Sequence, residues 1–252
     1  MSRQTIQDAL MDRHAASPAV RTTWHGTNTA LSIVTVVLAV ATALPIRAYA
    51  ADDPISSVMG SIEIASGQHA GSVTDVNGSI HIGAAAVVGQ ASTVNGSIKV
   101  EERVSAISMS TVNGSIHIGP GSHVSGVVST VNGSINLEAG TDISGSVSTV
   151  NGMIRVNGAH VGGGITSVSG DIDIGANSRV EGGLHVLPSS GTAWFSFFFS
   201  HTPSRIVIGP GAVVSGTLRF EQDVKLYVSD HATIGKVEGA TPIKFSGAHP
   251  PD

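Results

Sequence analysis

The sequence predicts an all-β fold, a single-stranded triangular β-helix (β-solenoid) of about nine or ten coils built on 18–19-residue repeats. Three observations predict it. A short core recurs at a nearly fixed step, apolar residues alternate within each copy, and Gly, Ser, Asn or Pro separates the apolar stretches.

The core begins at Val58 ("VMGSIEI"), Val76 ("VNGSIHI"), Val94 ("VNGSIKV"), Val112 ("VNGSIHI"), Val131 ("VNGSINL"), Val150 ("VNGMIRV") and Val168 ("VSGDIDI"), at steps of 18, 18, 18, 19, 19 and 18 residues. A period this regular marks a stacked repeat, in which no copy buries its own apolar face. Within the fourth copy, alternation puts Val112, Ile116 and Ile118 on one face and Asn113, Ser115 and His117 on the other, the period of a strand. A second apolar position follows six residues after each core, as in Ile82 and Val88, Ile118 and Val124, Leu137 and Ile143, and Ile174 and Val180. A third precedes the next core at Val73, Ala91, Met109, Val128, Val147 and Ile165. Three inward regions per line, separated by turns, describe a triangular coil stacked at about 4.7–4.9 Å. The six-residue spacing allows either hand of coil.

Composition agrees. Hydrophobic residues are 41%, yet aromatics are 4%, charged residues 12%, and Gly numbers 31, so small and β-branched side chains carry the apolar character. The formal net charge is −5; without residues 1–50, which hold four Arg and two Asp, nine basic and sixteen acidic residues remain, a balance of −7. No Lys/Arg cluster follows residue 50, which argues against a nucleic-acid partner. Cys is absent, which excludes disulfides, thiolate metal sites, a Cys nucleophile and lipidation at Cys.

Taken in order, residues 1–50 read as a signal peptide: "ALSIVTVVLAVATALPI" (30–46) is followed by Arg47, and Ala48 and Ala50 suit cleavage before Ala51. The polar stretch ahead of it is long, and Met11 is an alternative start. An uncleaved anchor is the other reading; the apolar run is at the short end of what spans about 30 Å, and Pro45 interrupts it. The expected location is therefore outside the cytoplasm: periplasm, cell surface or medium. Residues 51–57 are a linker and 58–245 the β-helix, with "RIVIGPGAVVSGTL" (205–218) and "KLYVSDHATIGKV" (225–237) as later copies. In the last stretch and the tail (246–252), Pro242, Pro250 and Pro251 cannot donate to a further coil and blunt the edge.

Four groups of residues are candidates for function. Asn77, Asn95, Asn113, Asn132 and Asn151 stack in one column, each before Gly; Asn tolerates left-handed backbone, and stacked amides bond to one another. The structural ladder is the favoured reading and a sugar- or ice-binding column the alternative. The outward column Glu63, His81, Lys99, His117, Asn136, Arg155, Asp173 reads as cross-strand charge matching, including Glu63 with His81 and Arg155 with Asp173. His81 and His117 stand two coils apart, about 10 Å, too far to share a metal, and no metal site or cofactor is expected. Asp171 and Asp173, taken as i and i+2 on one strand about 7 Å apart, are the weak candidate for a hydrolytic pair acting on polysaccharide. Finally, "PSSGTAWFSFFFSHTPS" (188–204) interrupts the eighth coil with Trp194, Phe195, Phe197, Phe198 and Phe199. A triangular coil leaves no room inside for Phe, so this loop is either a flap over one side or a contact for a partner, another protomer or a lipid surface.

The lines "IHIGPGSHVSGVV" and "IVIGPGAVVSGTL" resemble the repeats of bactofilins, polymer-forming bacterial cytoskeletal proteins with a triangular β-helix. "TVNGSI" and "SVSGDI" are similar to an adhesin-like bacterial β-solenoid family. The resemblance covers about residues 58–237 and implies a non-enzymatic structural or adhesive protein that assembles end to end.

Overall fold

The computed structural model describes residues 54–188 and 203–250. These residues contain no helix; short strands pair in parallel from coil to coil as a β-solenoid of about 10 turns. The first face is a ten-stranded sheet running from Ile62–Ile64 through Ile116–Ile118 to Ile243–Phe245. The second is narrow, with two-residue strands such as His123–Val124, Asp142–Ile143 and His160–Val161. The third carries longer strands, among them Ile55–Met59, Val73–Asn77, Val128–Asn132 and Val147–Asn151. Strands Val87–Asn95 and Ser105–Asn113 run unbroken across the second and third faces and tie them into one sheet.

The inward positions are filled as the repeat requires. In one coil Ile116, Ile118, Val124 and Val128 are all 0% exposed, and their counterparts above and below are equally buried. Each such side chain contributes roughly 1.5–3 kcal/mol on burial. Ordering the residues of one coil costs at least as much at about 1–2 kcal/mol each, so a lone coil does not fold and only the stack does.

The valine that opens each core faces out. Val58, Val76 and Val94 are 67%, 37% and 40% exposed, and Val112, Val131, Val150 and Val168 are half-buried. The inward residue is the one before: Thr93, Thr111, Thr130 and Thr149 are each buried to 4% exposure or less. The third-face strand ends at Asn113 and the first-face strand starts at Ile116, so a corner at Gly114 and Ser115 resets the alternation. Period two holds along a strand, not across a corner.

That corner explains the repeated letters. The Thr111 hydroxyl donates to the Gly96 carbonyl of the coil beneath at 2.9 Å, as Thr93 does to Gly78 and Thr130 to Gly114. A hydroxyl so placed is satisfied inside. At Gly114 a Cβ would sit 2.0 Å from the Gly96 carbonyl oxygen, so only glycine lets the coils approach. The Ser97 hydroxyl accepts the Ser115 backbone N–H at 3.1 Å, and Ser115 repeats this toward Ser134.

Aromatic rings do enter the interior, at the C-terminal end. Phe220 is 4% exposed and Phe245 5%. Phe220 aligns with Val186, which aligns with Ser167, so one inward position enlarges toward the end of the stack. Phe245 lies beside Ser229, where no further described coil competes for the space. A ring fits where stacking stops.

Candidate functional site

The five asparagines form a continuous ladder. Asn95, Asn113, Asn132 and Asn151 each donate from Nδ2 to Oδ1 of the Asn one coil below, at 2.9–3.0 Å. Their backbones are not left-handed: the non-Gly residues with positive φ are Ala85, Arg103 and Asn177 among the described residues. Asn is held here by its amide, with the carboxamides spent on one another.

The two aspartates do not share a strand. Asp173 sits on Ile172–Ile174, and Arg155 Nε lies 3.7 Å from its Oδ2. Asp171 stands at the corner before that strand, where its Oδ1 accepts the Arg205 backbone N–H at 2.7 Å. Each carboxylate is engaged by a different partner, which is the arrangement of a cap and a surface ion pair. Trp194, Phe195, Phe197, Phe198 and Phe199 lie outside the described residues; the described chain leaves at Pro188 and returns at Pro203. The described strands on either side of it are Leu184–Val186 on the third face and Ser204–Ile208 on the first.

Down the first face, the outward residues align as the repeat requires; Arg155 meets Asp173 as expected, and only the partner of His81 is different. His81 Nε2 and Lys99 Nζ both lie 3.0 Å from Glu101 Oε1, one residue beyond the strand, rather than His81 meeting Glu63. Asn136 bridges His117 and Glu138 at 3.0 and 2.8 Å.

The narrow second face carries the densest cluster of titratable groups. Register places His123, Asp142, His160 and Arg179 one above another. Asp142 accepts from His160 Nδ1 at 2.6 Å and from His123 Nδ1 at 2.9 Å. These bonds, His160 first, hold its carboxyl below the ordinary value of 3.8 against the opposing effect of desolvation. Glu181 is lowered below 4.5 by the Arg179 hydrogen bond at 3.0 Å and then by His160. His160 Nε2 is shielded from solvent and 3.4 Å from Glu181 Oε1, yet not aligned for a hydrogen bond. A shallow groove of about 560 Å³ opens here, with Asp142, His160, Arg179 and Glu181 on its wall. Each carboxylate of the cluster is bonded to a basic side chain. Among the described residues, no group of three or more His, Asp or Glu is placed to hold a metal ion.

The signal for this ladder was in the sequence: each member precedes the second apolar position of its line, and alternation turns it outward. Neither protein-family models, nor curated proteins, nor solved structures show a match to this chain.

Proposed function

We propose that the chain is an exported, non-enzymatic β-solenoid that serves as a structural, polymer-forming or adhesin-like element of the cell envelope and associates through its N-terminal coil. The residues that define the repeat are consumed by the stack itself, and the clustered carboxylates are bonded to basic side chains. The bactofilin-like and adhesin-like character of the lines supports the same reading.

One observation carries it, the difference between the two ends. Ile55–Met59 pairs only with Val73–Asn77, and Ile62–Ile64 only with Ile80–Ile82, so among the described residues the outer edge of the first coil has no partner. Val58 and Met59, 67% and 75% exposed, stand on that edge. Among the described residues the last coil also lacks a partner on its outer side, but it is irregular, with Pro242 ahead of Ile243–Phe245 and Phe245 buried over Ser229. A regular open edge is the better template for another edge.

The experiment is Glu63→Pro. Because Ile62 N–H donates to Ser79 in the second coil, alternation turns the Glu63 N–H to the free edge, where proline is tolerated. End-joined species in sedimentation and electron microscopy should disappear while the β-sheet circular dichroism persists. Unchanged end-joined species would reject the reading.

A further inference from the structure

We infer that the third face, from the coil of Ser56 to the coil of Thr166, is a docking surface for the same face of a second copy. Its outward positions form two columns. One is of hydroxyls, from Ser56 through Ser110 to Thr166; the other is of valines, from Val58 through Val112 to Val168. Neither column contains a charged residue. The flanking Asn ladder is neutral and internally bonded.

The other faces differ sharply. The first carries Glu63, His81, Lys99, Arg155 and Asp173 outward, and the second His123, Asp142, His160 and Arg179. On the third face itself, charge appears at the next coils: the hydroxyl column continues as His185, Arg219 and Glu238. The neutral region is thus bounded, and it coincides with the regular lines of the repeat.

A second copy suits it better than a foreign partner. Without charge the face offers nothing to steer an oppositely charged molecule, whereas self-docking sets neutral rows on neutral rows. Both copies share one coil spacing, so their rows interdigitate along the full length, as sheets do at about 10 Å separation. A two-fold axis through the middle coil, at Ser110 and Val112, makes the contact isologous. The footprint sets its strength. Coils from Ser56 to Thr166 span about 29 Å, and a five-residue strand about 16 Å, so each copy offers about 460 Å² and the pair about 930 Å². Stable interfaces bury about 1,200–2,000 Å², which makes this contact weak, reversible and concentration-dependent.

The docking face does not depend on the end contact proposed above; only its consequence rests on that reading. One isologous contact closes a dimer, but two different ones on each protomer extend into a filament.

The test uses the purified protein in a concentration series by sedimentation equilibrium. Wild type should dimerise reversibly through this face even with Glu63→Pro in place, since Glu63 lies on the first face. Val94→Lys with Val131→Lys, both outward, should raise the dimer dissociation constant at least about tenfold while circular dichroism stays unchanged. Since the chain has no Cys, Ser110→Cys should give a cross-linked dimer with a bis-maleimide that spans about 10 Å, and His117→Cys in the same coil should not. Association unaffected by the two lysines, or equal cross-linking at positions 110 and 117, would overturn the inference. Loss of both contacts with Glu63→Pro alone would show that the face does not act by itself, which also overturns it.

Discussion

Gly114→Ala asks whether the glycine of the repeated corner serves backbone freedom or space. Gly114 has no left-handed φ, so alanine can adopt its backbone conformation. At a merely permissive site that exchange stabilises by about 0.4–1 kcal/mol, because the unfolded chain loses freedom. Here the new Cβ would lie 2.0 Å from the Gly96 oxygen and 2.5 Å from its carbonyl carbon, where contacts below 3.0 Å are essentially never seen. The coils must part by about 1 Å. Four bonds cross that seam: Gly96 N–H to Asn113 O at 3.0 Å, Thr111 to Gly96 at 2.9 Å, Asn113 to Asn95 at 2.9 Å and Ser115 to Ser97 at 3.1 Å. Stretched beyond hydrogen-bond range, at about 1 kcal/mol net each, they cost about 4 kcal/mol. The expected change is several times larger than the entropic gain and opposite in sign. Urea unfolding followed by far-ultraviolet circular dichroism measures it. Amide exchange at Ile98 and Ile116 localises it, since stacked coils can open in sections. A midpoint at or above wild type would refute the steric account.

Asn113→Ala removes two amide contacts, to Asn95 and to Asn132, both exposed; the expected loss is about 1 kcal/mol, read as a lower urea midpoint, and no change would mean the ladder is ornamental to stability. For Asp142 the sign follows from linkage. Its folded pKa is depressed below 3.8, so its contribution is present above the unfolded value and lost as pH falls through the folded one. Melting temperature should therefore drop on acidification below about pH 4, and Asp142→Asn should shallow that drop, with identical slopes counting against the His123–Asp142–His160 pairing.

Much of the architecture was legible because stacking imposes one requirement at a fixed step. Ile116, Val124 and Val128 recur as aliphatics in every line, and recurrence reveals an inward position without knowledge of the coil's path. The corner is the exception. Strand alternation carried across Gly114 puts Val112 inward where the structure has Thr111, because hydropathy takes no account of a hydroxyl satisfied by the carbonyl beneath. The second-face ladder is legible only through the repeat step: His123, Asp142 and His160 are 19 and 18 residues apart, which makes them neighbours in adjacent coils. Phe220 was unreadable from an average coil, since the space it fills exists only near the end of the stack.

The neutrality of the third face is not a by-product of strand chemistry. Ser, Thr and Val suit a pleated surface, but the first face makes the same backbone demand and still carries Lys99, Arg155 and Asp173. An uncharged strip bearing a valine column is a liability for a solitary chain, and one lysine per few coils would remove it. The chain places such charges on both other faces and on the later coils of this one, at Arg219 and Glu238. The strip is therefore left bare only where the lines are regular, beside a first-coil edge that has no partner among the described residues. Two surfaces that a solitary solenoid would be expected to blunt are both left able to meet their own kind, which supports the self-association proposed above.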